Sequence, residues 1–469
     1  MTQLVWFRND LRVADNPALT AACATGEAVH ACFVITPGQW QEHDWSAARV
    51  QFVLEHANAL AKELAGLGIP LHFLAADLFT DSLDALEDFC REQSVGQLHF
   101  NEEYGINERR RDKQARERLG ELGITVKKYR DQTVAPVGQI LTGQNEPYSV
   151  FTPFSRSWRK WIEASQPQVY PVPKPIGPAV EPEQTDTRIE PFTEAPALLV
   201  GIGEQAAHDR LDNFIARRAS RYKDDRDFPA IDGTSLLSPY LANGVLSGRQ
   251  CLIAARQASG SGTTASSGGI ETWINEIAWR DFYINILYYY PRVSMNRAFK
   301  QDTEALEWNM PGEHFEAWKE GRTGILIVDA AMRQLKATGW MHNRLRMVTA
   351  MFLTKNLFID WRLGEAWFMQ NLVDGFLASN NGGWQWSAST GTDAAPYFRV
   401  FNPVTQSERF DPEGEFIRQW VPELAKLDNK RIHEPGRKGG VIPKGYPRPI
   451  VDLKESRKEA IARFQALKD

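Results

Sequence analysis

Two regimes of apolar and polar spacing divide the chain. In residues 1–132, short apolar runs at Leu4–Phe7, Val29–Ile35, Leu71–Leu74 and Leu98–Phe100 alternate with segments of helical period, notably Ala47–Leu67 and Ser82–Gln93. Strands apolar throughout and spaced by helices predict a parallel sheet covered on both faces. The expectation is an α/β, doubly wound N-terminal domain. No GxGxxG follows the first strand; Arg8-Asn9-Asp10-Leu11-Arg12 stands there, so the dinucleotide fingerprint is absent. Residues 133–202 read as a long connector, because Pro167, Pro171, Pro173, Pro175, Pro178 and Pro182 remove donors and fix the backbone.

From residue 203 to 469 helical signals dominate. Ile270–Tyr290 (IETWINEIAWRDFYINILYYY) predicts a long aromatic helix. Trp273, Glu276, Trp279 or Arg280, and Tyr283 share one of its faces. A carboxylate among tryptophans needs a partner, either Arg280 or a ligand. Gly339–Phe358 predicts a second helix with Asn343, Arg346 and Met347 on one face; Arg344 reads there as solvated. Asn371–Asp393 (NLVDGFLASNNGGWQWSASTGTD) reads differently. Gly costs about 1 kcal/mol inside a helix and Asn is a poor former, so Asn380-Asn381-Gly382-Gly383 predicts a turn beside Trp384 and Trp386.

Composition adds limits. The 469 residues are 43% hydrophobic and 24% charged, ordinary for a soluble globular protein, and suggest two or three domains. A formal charge of −5 means that any nucleic-acid contact must come from a local basic patch. Cys23, Cys32, Cys90 and Cys251 show no CxxC spacing, which speaks against a zinc site or disulfide framework. No apolar run has the length of a membrane span, and Met1-Thr2-Gln3 leads into a strand-like run rather than a signal peptide. Fifteen tryptophans are many for this length; tryptophan stacks and also carries electrons.

Three stretches carry chemistry with two readings each. Tyr222–Ser238 is a loop with hydroxyls at Thr234, Ser235 and Ser238, suited to phosphates or to a plain N-cap. Phe154–Trp161 (FSRSWRKW) interleaves basic and aromatic residues, for nucleic acid or for a helix with its tryptophans inward. Asn107–Leu119 (NERRRDKQARERL) reads as a solvated helix face with acid–base pairs. Ser259–Gly269 is a Gly/Ser/Thr-rich surface loop.

Read together, WFRNDLRVADNPAL, WINEIAWRDFY, GWMHNRLRM, DGFLASNNGGWQWSAS and GTDAAPYFRVFNP give a resemblance over nearly the whole chain. The sequence resembles the photolyase/cryptochrome family, most closely the bacterial class I cyclobutane pyrimidine dimer photolyases. The resemblance implies an all-helical C-terminal domain holding FAD, and light-driven repair of UV-damaged DNA by electron transfer from reduced anionic FAD to a flipped-out dimer. It implies a flavin pocket of Tyr222, Thr234, Ser235, Leu236, Leu237, Ser238, Trp273, Glu276, Arg280, Asn343, Arg346, Asp374, Gly375, Phe376 and Asn380. Asn380 faces flavin N5 in this reading, and Arg346 and Asp374 form an ion pair beside the ring. Trp279 and Trp386 match walls that stack on the dimer, Glu276 and Asn343 its hydrogen bonders, and Met347 its apolar contact; Arg226 and Arg344 match basic groups near the lesion. Trp384, Trp361 and Trp308 match a three-tryptophan electron-transfer ladder. His43, Asn107 and Glu108 match a 5,10-methenyltetrahydrofolate antenna site.

Subfamily rests on few positions. The (6-4) photolyases carry histidines where Asn343 and Met347 stand, DASH-type cryptochromes tend to carry Gln at Met347, and plant cryptochromes carry Asp at Asn343 and Asn380. Two departures stand out. The family usually reads Asp-Gly-Asp where this chain has Asp374-Gly375-Phe376, and Cys-Lys in the folate subgroup where this chain has Met295-Asn296. The resemblance further implies a cytoplasmic monomer that associates with DNA. The competing readings are a blue-light-sensing cryptochrome without repair activity, a dark flavin oxidoreductase and a structural DNA-binding protein.

Overall fold

The computed structural model describes residues 1–260 and 267–467. Of the expected Ser259–Gly269 loop, residues 261–266 lie outside the described residues; the rest is helical, Ser259 and Gly260 ending the helix Gly248–Gly260 and residues 267–269 opening the helix Ser267–Tyr289. The chain forms two compact units, one of residues 1–220, 235–291 and 373–376, the other of residues 221–234, 292–372 and 377–469.

The first unit holds the sheet. Strands β1 (Thr2–Phe7), β2 (Val29–Ile35), β3 (Leu71–Ala75), β4 (Val95–Asn101) and β5 (Thr125–Tyr129) run in the order β3-β2-β1-β4-β5. All four pairings are parallel, with Val5 opposite Ala31 on one side and His99 on the other. β1 is buried from Leu4 to Phe7, as a central strand covered on both faces must be. Helices Ala47–Gly66, Phe79–Glu92 and Ile106–Glu121 are the predicted crossovers. β5 (TVKKY) is an edge strand with exposed lysines, and no apolar run announces it. Residues 166–200 contain no helix or strand.

This unit also contains helices Phe151–Ser165 and Ser267–Tyr289. They are joined by a buried carboxylate. Asp281 accepts from the Trp158 indole (2.8 Å) and from the Val134 and Ala135 amides (2.9 and 3.1 Å). Trp158 thus points inward, and burial pushes the Asp281 pKa up to about 6.

The second unit is helical around a core of Val328, Leu345, Leu353, Trp361, Phe368 and Trp384. Two sequence expectations are corrected here. Gly339–Phe358 is not one helix. Gly339 takes a left-handed φ of 67° that ends the preceding helix, Leu326–Thr338. A new helix starts at Asn343, capped by the His342 ring, and widens into a π turn at Phe352–Asn356. The Asn-Asn-Gly-Gly stretch is not a turn either: Leu377–Ala388 is helical throughout. Low propensity is overridden by side-chain bonds from outside the helix. Asn380 Nδ2 donates to the Glu365 carbonyl (3.1 Å), and Asn381 Nδ2 to the Glu365 carboxylate (3.1 Å) and the Val293 carbonyl (3.2 Å).

The π turn carries a fully buried Lys355. Its Nζ donates to Ser389 Oγ (2.9 Å) and lies 3.6 Å from the Phe464 ring centre. Burial and then the charge of Lys300 hold its pKa well below the ordinary lysine value. The unfolded chain therefore binds a proton that the folded chain gives up, so this group's contribution to stability rises with pH towards about 10.4. Lys355→Met is expected to stabilise the fold at neutral pH by roughly 1–4 kcal/mol, as when buried charge is replaced by apolar packing. Urea unfolding at several pH values checks it: the gain should shrink as pH rises, and a gain independent of pH contradicts this account.

Candidate FAD and substrate residues

In the first unit, the Ser267–Tyr289 helix displays the predicted series. Trp273 is buried against Phe214, ring centres 5.0 Å apart, and Glu276 is half-buried one turn on. Trp279 stacks on Phe151 at 3.6 Å and 8°, and on Tyr283 at 5.5 Å and 27°. One ring face is therefore covered by protein. Arg280 donates to the Leu241 carbonyl (3.0 Å) and to the Gln132 carbonyl, and its guanidinium lies 5.1 Å from the Phe376 ring centre. Burial lowers the Arg280 pKa. Asp374 and Gly375 are buried beside Phe376 in the segment Val373–Phe376. Phe376, standing where an acid was expected, thus meets the arginine with its ring face.

The loop before the short helix Ser238–Ala242 turns sharply at Leu236, whose φ is 51°. Arg210 Nε donates to the Ser235 carbonyl (2.8 Å), and Ser235 Oγ accepts from the Leu237 amide (3.4 Å). Ser238 is half-buried, Leu237 fully buried and Thr234 half-buried.

The second unit gathers a charged array. Arg344 pairs with Asp227 at 2.7 Å and covers the Phe410 ring at 4.5 Å, so it is not merely solvated. Arg226 lies 3.8 Å from the same Asp227 and 5.7 Å from the Tyr222 ring centre. Asp227, between two arginines, escaped the sequence reading; its signal is the DDRD run after Tyr222. His342 Nδ1 accepts the Arg344 amide (3.2 Å), and burial takes the ring's pKa down to about 4, which keeps it a neutral cap. Arg346 Nε donates to the Met341 carbonyl (2.8 Å), while Asn343 is exposed and Met347 half-buried.

On the helix Leu377–Ala388, Asn380 and Trp386 are half-buried and Trp384 is buried. Trp384 packs edge-on against Phe368 (4.9 Å) and Trp318 (6.0 Å). A side chain at Gly364 would overlap its ring, so the neighbouring helix Trp361–Met369 must carry glycine there. Trp361 is buried, and Trp308 is half-buried against Phe358 at 4.9 Å. Exposure therefore rises from Trp384 and Trp361 to Trp308.

The third cluster lies in the first unit, past the carboxyl ends of β2 and β4, where parallel sheets place ligands. His43 Nδ1 stands 3.6 Å from Glu108, and its Nε2 lies 3.1 Å from both Asn107 and Gln39. Phe79 meets the imidazole edge-on at 5.5 Å. Burial lowers the His43 pKa, and burial with the nearby Glu103 charge raises that of Glu108. Both shifts favour the uncharged form of each group. Arg111 binds Glu103 at 2.8 Å and keeps that carboxylate ionised. Gln39, Phe79, Glu103 and Arg111 join the predicted trio only through the fold.

The family described as "FAD binding domain of DNA photolyase" matches residues 273–466, and "DNA photolyase" matches residues 3–175. The deoxyribodipyrimidine photo-lyase of Escherichia coli (strain K12) is 45% identical over 470 residues, 99% of this chain and 98% of that one. The chain belongs to the DNA photolyase family. A class III photolyase from Agrobacterium tumefaciens superposes with a TM-score of 0.88 at 35% identity, covering all of this chain and 98% of the other. A cryptochrome from Synechocystis sp. PCC6803 superposes with a TM-score of 0.86 at 28% identity, over 99% and 98% of the two chains.

Membership brings FAD to this photolyase chain, and its residues suit the group. The FAD-binding match starts at Trp273 and includes Glu276, Arg280, Asn343, Arg346, Asp374 and Asn380, while Tyr222 and Thr234–Ser238 precede it. The half-buried Ser238 hydroxyl makes no hydrogen bond among the described residues, and the buried Trp384 indole N–H has no partner among them. Hydroxyls without protein partners suit phosphate oxygens. No group of three or more His, Cys, Asp or Glu among the described residues could hold a metal. No helix among them is long and apolar enough to cross a membrane.

Proposed function

We infer that this photolyase repairs UV-damaged DNA in the light by splitting cyclobutane pyrimidine dimers. The observation that carries the reading is the end-to-end match, at 45% identity over 99% of the chain, to a protein named deoxyribodipyrimidine photo-lyase. FAD, when bound and reduced, supplies the light-driven electron. The protein's part is positioning and electrostatics. Thr234, Ser235 and Ser238, with the backbone of Leu236 and Leu237, suit the pyrophosphate. Arg280, Arg346 and Asp374 set the charge around the ring system, with Trp273, Gly375 and Phe376 as its packing and Tyr222 as a further contact. Asn380, with one amide N–H committed to Glu365, keeps its carbonyl and second N–H for the cofactor.

Glu276 and Asn343 hold the thymine edges, and Trp279, Trp386 and Met347 supply apolar walls. Trp279 is held in place by stacking on Phe151 and Tyr283. Arg226 and Arg344, held by Asp227, address phosphates near the lesion. Trp384, Trp361 and Trp308 carry electrons inward from the surface. His43, Asn107 and Glu108 hold 5,10-methenyltetrahydrofolate as antenna: their clustered imidazole, amide and carboxyl groups suit the hydrogen-bonding edge of a pterin. The protein works as a cytoplasmic monomer on DNA.

The test is illumination of chemically reduced protein with an oligonucleotide containing a thymine dimer. Thymine absorbance should return in the light and not in the dark. Absence of recovery overturns the repair reading and leaves a light-sensing role, which the likeness to the Synechocystis cryptochrome favours. Absorption spectra before and after denaturation separate flavin from folate; flavin alone overturns the antenna assignment.

A further inference from the structure

A basic groove in the second unit lies outside every residue given above to FAD or the dimer. It is an open cavity of about 1290 Å³ between the helix Pro403–Phe410, the segment 433–449 and the start of the helix Leu453–Gln465. Residues 437–458 hold seven Lys or Arg against two Asp or Glu, in a chain whose net charge is −5. The acids near the groove are already committed. Glu408 and Glu434 bind Arg437 at 3.0 and 3.7 Å. Asp452 caps its helix by accepting the Lys454 and Glu455 amides, which lowers its pKa. Lys444, Arg448 and Arg457 line the groove, are exposed, and form no ion pair among the described residues.

These cations are carried on a fixed frame. The buried Asp329 accepts from the Thr323 amide (2.7 Å) and hydroxyl (2.6 Å), from the Gly324 amide (2.9 Å) and from the Tyr446 hydroxyl. Tyr446 lies between Lys444 and Arg448, and a side chain at Gly324 would overlap the Arg448 carbonyl carbon. Gathering Lys444 and Arg448 on this anchored segment, with Arg457 on the helix Leu453–Gln465 lining the same groove, costs like-charge repulsion, which a polyanion relieves.

The helix Pro403–Phe410 says which polyanion. Val404, Thr405 and Glu408 face the groove. At the helix's far end, Phe410 packs on Phe228 (6.0 Å) and under Arg344 (4.5 Å), which joins the groove to the Arg226–Asp227–Arg344 array. Eight residues span about 12 Å, or three to four steps of duplex at about 3.4 Å each. We propose that the groove holds backbone phosphates of the DNA flanking the lesion, through Lys444, Arg448 and Arg457, and so extends the footprint beyond the dimer. The inference rests on the repair reading.

The experiment compares the full chain with K444A/R448A/R457A. Binding to a dimer-containing duplex of about 20 base pairs and to a dimer-containing hexanucleotide is measured over a salt series. Each lost phosphate contact should reduce the log–log salt slope by about 0.9, so the duplex slope should fall by about 2 to 3. Duplex affinity should drop by tenfold or more near physiological salt, hexanucleotide affinity should hold, and repair at saturating substrate should be unchanged. FAD content and unfolding midpoint report an intact fold, and K444Q alone is the milder variant, expected to remove about one contact. An unchanged duplex slope overturns the groove, as does an equal loss on both substrates, or duplex binding unaffected while an acidic peptide titrates the groove. If the unaltered protein fails to bind or repair dimers, the repair reading itself has failed; if it repairs and the variant matches it, only the groove has.

Discussion

Trp308→Phe should slow photoreduction of the oxidised flavin by tenfold or more while repair by chemically reduced protein stays within about twofold, since a tenfold change in rate needs only about 1.4 kcal/mol in the barrier. Trp384 and Trp361 are 2% and 1% exposed, whereas Trp308 is half-buried. In the proposed ladder, a hole formed near Trp384 is filled from solution at the more exposed end, Trp308. Phenylalanine is much harder to oxidise than tryptophan, so the substitution blocks transfer and not packing. The new ring still lies against Phe358, itself packed with Leu306, Ala460 and Phe464. Photoreduction with an external thiol, followed by absorption, measures the first quantity; repair after dithionite reduction measures the second. If the variant loses repair in the pre-reduced state, Trp308 serves the fold or the substrate instead.

Glu276→Ala should cost about ten- to hundredfold in repair at limiting substrate and leave flavin content nearly unchanged. A hydrogen bond involving a charged group contributes roughly 1.5–3 kcal/mol. Alanine is the best helix former, so the Ser267–Tyr289 helix keeps its shape. Its anchoring does not pass through Glu276: Asp281 ties it to Trp158, Val134 and Ala135, and Trp273 is buried on Phe214. Glu276→Gln, which keeps an acceptor, should fall between. Loss of flavin in step with repair would make Glu276 a cofactor ligand rather than a substrate one.

The legible parts of this chain are those where one local rule dominates. β1, β2 and the helix Ala47–Gly66 follow from apolar runs and helical period, since both faces of the sheet are covered. β5 was invisible because an edge strand with Lys127 and Lys128 has no apolar pattern to show. The helix Leu377–Ala388 is not legible locally because what holds it, bonds to Glu365 and Val293 and the burial of Trp384 and Ala388 in the core, is remote in sequence. The candidate site divides in the same way. His43, Asn107 and Glu108 do come together, and Arg226 and Arg344 meet over one acid, but that acid, Asp227, and the neighbours of the His43 cluster, Arg111 and Gln39, emerge only from tertiary contacts. Gly364 shows the limit most simply: no local pattern reveals that the Trp384 ring needs its space.

The stability of Leu377–Ala388 is borrowed from its surroundings. The segment is wound against its own propensity by bonds to Glu365 and Val293, by those of Gln385 to Phe299 and Arg297, and by the burial of Trp384 and Ala388 in the core. Asn380, Trp384 and Trp386 ride on that one segment, so a change that loosens it is expected to disturb at once the three roles proposed for them: amide partner of the flavin, inner member of the electron ladder and wall of the lesion pocket.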